Sequence, residues 1–329
     1  MKLKTLTAAL AATFTLAASF ASAEDLKLAD FQPPTHFVVD STYKPFAATI
    51  ADKTGGAVTV TLYMGGEIGP GPVEQYNRAL EGVADIAFGL PGYTAANFPK
   101  TLLAELPGVI TAENGTERIL ANLDKLSDEY KRVVLLGLWN NAPNLLFTGA
   151  KPIRSLDDLK GLKIRVPSRN AGLVVEAWGA TPVSMPASEI YNAIQTGVID
   201  GAMTDATTLK AFKLAEVTKY ITQGMDTTMS DFFLVMNRDS FGDLNEDQQK
   251  IVLDAGRTAA INGNKAWLSV AAKALSDFAG TDGKEVITLA PEEAAKFNAA
   301  SSAAVDKIIA DADAQGLEAS AFVKALKGN

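Results

Sequence analysis

Residues 161–205 read GLKIRVPSRNAGLVVEAWGATPVSMPASEIYNAIQTGVIDGAMTD, a pattern of strand, helix, strand, helix, strand. Over residues 162–166 apolar side chains alternate with Lys163 and Arg165, the period of a strand, and Pro167 ends the ladder because it has no N–H to give. Arg165 therefore stands at the carboxyl end of a strand. That is where ligands of open α/β sheets bind, and a guanidinium offers five N–H donors in a planar fork that matches a carboxylate. A second helix opens near Pro186, keeps Ile190, Ala193 and Ile194 on one face, and stops at Gly197. Residues 198–203 then read as a buried strand.

An internal comparison extends this reading to the first half of the chain. Aligned without a gap, YNRALEGVADIAFG from Tyr76 and YNAIQTGVIDGAMT from Tyr191 share Tyr, Asn, Gly, Val, Asp and Ala at matching positions. Each is a helix ended by glycine and followed by a short strand, so two lobes of related design are expected. The loops that follow, Gly89-Leu90-Pro91 and Thr204-Asp205, would then face one cleft. Around these segments, strand patterns at residues 25–31, 57–64 and 83–88 alternate with helical ones at 43–53 and 73–81, which favours a largely parallel α/β sheet. Residues 132–138 and 145–148 read as strands that cross between lobes, residues 232–237 as a second crossing, and the hinge should lie near these. From residue 246 to 278 the pattern is one long helix, with Gly256 and Gly263 as possible bends.

Length and composition bound the function. A chain of 329 residues with 47% hydrophobic and 21% charged residues is globular and long enough for two lobes. Lys2 and Lys4 precede an apolar run over residues 6–20 and the small residues Ala21-Ser22-Ala23, a signal peptide cleaved after Ala23. Removing those two lysines takes the formal charge from −8 to −10, which argues against nucleic acid or an anionic membrane as partner. With 0 Cys, thiol chemistry is excluded. The mature chain has no further apolar run of about 20 residues, so it does not span a bilayer, and the bacterial periplasm is the expected compartment.

His36 is the only histidine, so Ser-His, Cys-His and multi-histidine metal arrangements cannot be assembled, and neither a metal nor a cofactor is expected. It reads as a structural loop residue or as a lip of the cleft. Ser41-Thr42-Tyr43-Lys44 and Lys53-Thr54-Gly55 imitate the S-x-x-K and K-T-G elements of penicillin-recognising enzymes, but they are too close together and no S-D-N lies between them. Asp311 to Gly316 begins like a calcium loop, yet its twelfth position is Phe322 rather than Glu. Phe31 and Trp139 are candidates to line a pocket for a ligand with an apolar or aromatic body. Arg169, in the first turn of a helix, is a further candidate for an anion.

The runs LKGLKIRVPS, MPASEIYNAIQTGVIDGA, LYMGGEIGPG and EGVADIAFG resemble the solute receptors of tripartite ATP-independent periplasmic (TRAP) transporters, the DctP type. The resemblance covers nearly the whole mature chain. It implies a two-lobed periplasmic-binding-protein fold of mixed sheets flanked by helices, with lobe I at residues 24–142 plus 234–272 and lobe II at 143–233 plus 273–329. It implies a receptor without catalysis that closes on an organic acid and delivers it to a membrane permease. Arg165 occupies the position that pairs with the ligand carboxylate in that family. Where the family often has a second arginine, this chain has Asn144. Ala187, Thr204 and Asp205 complete the candidate ligand set with Phe31, Leu90, Trp139 and Arg169. The competing readings are a periplasmic hydrolase using paired carboxylates such as Asp205 and Glu189, and a receptor for an ATP-driven importer.

Overall fold

The computed structural model describes residues 24–328, so the predicted leader and its cleavage after Ala23 lie outside the described residues. Alternating apolar and polar side chains build β1 (Glu24–Ala29) and β2 (Val58–Tyr63), and a fully buried run builds β3 (Ile86–Gly89). Next come β4 (Val134–Asn140), β5 (Leu145–Thr148), β6 (Lys163–Val166), β7 (Thr181–Ser184) and β8 (Gly201–Thr204). The last are β9 (Tyr220–Gln223), β10 (Asp231–Met236) and β11 (Glu285–Thr288). They form two sheets, in the orders β2-β1-β3-β10-β4 and β11-β9-β5-β8-β6-β7.

Each sheet is mixed, where the alternation of helices and strands had suggested largely parallel ones, and the antiparallel members have a common cause. β4 leaves the first sheet at the cleft and the chain crosses to β5, which enters the second sheet from the cleft side. It therefore runs against its neighbours β8 and β9. β9 leaves in the same way and the chain returns as β10, antiparallel to β3 and β4. All of β10 is bonded within the first sheet, so the second crossing is residues 224–230 rather than the expected 232–237.

The repeat is visible bond for bond. Val83 and Ala84 both donate to the Arg78 carbonyl, and 115 residues later Val198 and Ile199 both donate to the Ala193 carbonyl. Gly82 and Gly197 each take φ +71°, the left-handed exit that glycine allows. β3 and β8 each have a parallel neighbour on one side and an antiparallel one on the other. The strand at residues 198–203 is shorter than expected, because that exit turn consumes Val198, which is 54% exposed.

The helix Glu246–Ala279 is continuous over 34 residues and opens on a capping box formed by Asn245 and Gln248. Its glycines serve close approach rather than bending. A Cβ at Gly256 would stand 2.6 Å from the Leu136 carbonyl oxygen on β4, and one at Gly263 would stand 3.0 Å from the Trp139 indole nitrogen. The far end of the same helix packs Ala271 and Phe278 against Phe147 and Ile221 of the second sheet. The closing helix Ala319–Lys327 returns to the first sheet, where Phe322, Val323 and Leu326 share a core with Phe98, Leu138 and Phe233. Gly256→Ala should lower unfolding stability by about 1–3 kcal/mol, because the backbone it strikes cannot rotate away. Urea melts check this, and an unchanged midpoint would show that the helix can shift off the strand without cost.

Candidate functional site

β6 carries Arg165 at the carboxyl end of the second sheet, between β7 and β8. The side chain is 2% exposed. Its Nε donates to the Met185 carbonyl at 2.8 Å and its Nη1 to the Met203 carbonyl at 3.1 Å; both acceptors belong to the exits of the neighbouring strands. A longer contact of 3.5 Å joins Nη2 to the Tyr93 hydroxyl. These three bonds leave two of the five N–H groups without a protein acceptor. No ion pair among the described residues includes Arg165, so its direct partners are two carbonyls and a hydroxyl rather than a carboxylate. Burial pushes its pKa down, and Tyr93, Asp205 and Glu189 pull it back up.

The guanidinium faces a cavity between the two sheets. The first-sheet wall supplies Phe31, Gln32, His36, Leu90, Tyr93 and Phe232, and the second-sheet wall supplies Arg165, Ala187, Thr204, Asp205, Thr208 and Phe212. Trp267 of the long helix packs against Phe232 in a tilted pair with ring centroids 4.5 Å apart. About 420 Å³ of empty space, part of it open to solvent, lies within this lining. Most of the aromatic side chains are on the first wall, and Arg165 and Asp205 are on the second.

Most of the residues singled out in the sequence meet here: Phe31, Leu90, Asn144, Arg165, Ala187, Thr204 and Asp205 all line the cavity. Trp139 does not. It is fully buried one layer behind, against Phe88 and Phe232, and its indole N–H has no partner among the described residues. Arg169 points into a separate outer groove with Asn170, Leu173 and Gln315. Asn144 faces the cavity, but its amide is engaged with Thr228 at 3.1 Å and Ser230 at 3.3 Å. Asn141 donates to the Asp205 carboxylate at 2.9 Å and accepts from the Ser230 N–H at 2.7 Å, so the two crossings are tied to each other and to the second wall.

Glu189 is exposed and does not line the cavity, while both Asp205 oxygens accept hydrogen bonds, from Asn141 and from the Thr207 N–H. The pair of carboxylates that a hydrolase reading needs is therefore not assembled. Sequence reasoning missed Tyr93, Asn141, Phe212, Phe232 and Trp267 as cavity residues. The repeat held the signal for Tyr93: 115 residues on lies Thr208, which also lines the cavity, so the two equivalent loops needed only to be followed a few residues further.

Residues 28–312 match the family described as bacterial extracellular solute-binding protein, family 7 (DctP). The chain belongs to that family. A solute-binding protein of Albidiferax ferrireducens is 29% identical over 224 residues, a stretch covering 66% of this chain and 65% of the relative. Among solved structures, a TRAP solute binding protein from a marine metagenome, specific for aromatic acid ligands and crystallised with 3-hydroxybenzoate, superposes with a TM-score of 0.87. It is 27% identical, over 93% of this chain and 98% of that one. A TRAP periplasmic solute binding protein from Bordetella bronchiseptica with bound (R)- and (S)-mandelate gives 0.82, also at 27% identity, over 92% and 98%. The two-sheet architecture is thus that of TRAP solute-binding proteins, and no described helix is long and apolar enough to cross a membrane.

Several buried acids of this receptor fold surround the site. On one side of the cleft the Ser168 hydroxyl donates to Glu105 at 2.5 Å, from the second unit to the first. Burial pushes the Glu105 and Asp231 carboxyls well up. Asp30, directly before Phe31, is pushed by burial from 3.8 up to about 7, with bonds from the Gln32 N–H and the Tyr43 hydroxyl opposing the shift. A raised acid leaves the folded chain with more bound protons than the unfolded one between about pH 4 and 7, so stability is lost as pH rises through that window. Asp30→Asn removes this loss. Its stability relative to the wild type should grow by about 2–3 kcal/mol from pH 5 to pH 8 in denaturant melts. A difference independent of pH would mean that Asp30 is ionised at little cost in the folded state.

Proposed function

We propose that the protein captures a small aromatic monocarboxylate in the periplasm by closure of two lobes and hands it to a TRAP-type permease in the membrane. The observation that carries this reading is Arg165, a buried cation with two unengaged N–H groups at a cavity and no carboxylate paired with it among the described residues. A buried unpaired charge is costly, and an anionic ligand offsets that cost only when bound. Phe31, Phe212, Phe232 and Trp267 suit a flat apolar body. Asp205 sits on the second wall, where it repels a second carboxylate and offers an acceptor to a ligand hydroxyl. The aromatic acids held by the two structural relatives agree with this chemistry.

In this reading residues 1–23 are the leader, removed after Ala23. The lobes are residues 24–142 with 231–272 and residues 143–230 with 273–318, the expected boundary at 234 moving to 231 because all of β10 pairs within the first sheet. Residues 319–328 return to the first lobe, as the packing of Phe322 and Leu326 supports. The hinge lies at the paired crossings 141–144 and 224–230.

Calorimetry with 3-hydroxybenzoate, mandelate and succinate tests the ligand class. The wild type should bind the first two and rank succinate last, since its second carboxylate would be buried without a partner. Arg165→Ala should weaken binding at least about tenfold, and Arg165→Lys should fail to restore it because the planar fork is lost. Succinate outranking both monocarboxylates, or equal affinity in wild type and Arg165→Ala, would overturn the reading. Small-angle scattering should give a smaller radius of gyration with saturating ligand, because contacts to both walls favour the closed state. An unchanged radius on a sample with binding demonstrated would indicate a rigid pocket.

A further inference from the structure

Tyr93 belongs to the first unit, in the turn Pro91–Asn97 that follows β3, yet its hydroxyl lies among groups of the second. It accepts the Ala187 N–H at 2.9 Å, and that donor opens a helical turn and has no partner within its own helix. It also faces Arg165 Nη2 at 3.5 Å, too long for a strong bond. The loop reaches so far because Gly92 has no side chain: a Cβ there would stand 2.8 Å from the Pro167 carbonyl oxygen and 2.9 Å from the Ser168 Cβ. The ring is braced on Phe31, centroids 6.2 Å apart, so the hydroxyl is fixed in place.

A phenol can accept twice and donate once. Here both acceptances have protein donors, while no hydrogen bond from the phenol to an acceptor exists among the described residues. Burial pushes the pKa of Tyr93 up, which keeps that proton on the oxygen. Both it and Arg165 line the same cavity. One acceptor oxygen near the gap between them would satisfy an N–H of Arg165 and the O–H of Tyr93 together.

We propose that Tyr93 is a second ligand anchor, donating its O–H to the carboxylate that Arg165 holds, and thereby the group through which the first-sheet wall detects that carboxylate. It stands in for the second cation this pocket lacks. Because its two partners come from the opposite wall, the ligand oxygen becomes a bridge between the units, and Tyr93 selects for an anion rather than for an aromatic body. The inference rests on the carboxylate reading above.

Tyr93→Phe keeps the ring and removes one oxygen. It should weaken 3-hydroxybenzoate about tenfold, through faster dissociation, and weaken the neutral 3-hydroxybenzamide, measured by competition, by a distinctly smaller factor. The melting temperature of the ligand-free variant should fall only by what the loss of an acceptor for the Ala187 N–H costs, a cost that is the same whichever probe is used. Unchanged affinity for 3-hydroxybenzoate would overturn the proposal. So would an equal loss for both probes, since that pattern marks a strut between the units. If the wild type binds no aromatic carboxylate at all, the ligand class is wrong; if it binds them through Arg165 while Tyr93→Phe binds equally well, only the role of Tyr93 falls.

Discussion

A guanidinium held by two backbone carbonyls, with no carboxylate in direct contact among the described residues, is the constraint around which the second sheet is arranged. Met185 and Met203 present their oxygens to Arg165 because β7 and β8 flank β6 in parallel and all three end together. Dipoles orient the fork without neutralising it. A carboxylate partner from the protein would make the residue a structural ion pair and remove its use, since a ligand would then have to break that pair.

At the cleft the two sheets are joined by short polar segments. Asn141 and Asn144 on one crossing meet Thr228 and Ser230 on the other, and Asp205 joins from the second wall. Side-chain amides both donate and accept, and together with the backbone bonds from the Asn141 and Asn144 N–H groups to the Ser230 and Thr228 carbonyls they hold the two antiparallel crossings in register. The antiparallel members of both sheets follow from the same geometry: a chain that arrives from the cleft must run against strands that leave toward it.

Much of this was legible in the sequence because it rests on local patterning. Pro167 fixed the end of β6 and so the place of Arg165, and the shared Tyr-Asn-x-x-x-x-Gly-Val pattern pointed to equivalent helix exits whose hydrogen bonds do coincide. What stayed hidden depended on distance in three dimensions. Trp139 and Trp267 are both aromatic residues in apolar surroundings, and only packing decides which stands at the cavity and which behind it. Gly256 and Gly263 read as flexible points because a sequence shows what a glycine permits, not what a side chain in its place would meet. Asn144 read as a ligand contact in place of an arginine; its engagement with Thr228 and Ser230 comes from a segment 84 residues away.

The long helix has a mechanical consequence. Its first half is seated on β4 at Gly256 with almost no clearance, and its last turns are packed against the second sheet at Phe278. A rod clamped at one end and attached to the moving body at the other acts as a leaf spring. It resists twist and sliding far more than bending, so the relative motion of the two bodies is confined to a narrow arc and their separation has a built-in limit. A closing ligand then works against an elastic load of fixed direction, and release returns the pair along the same path.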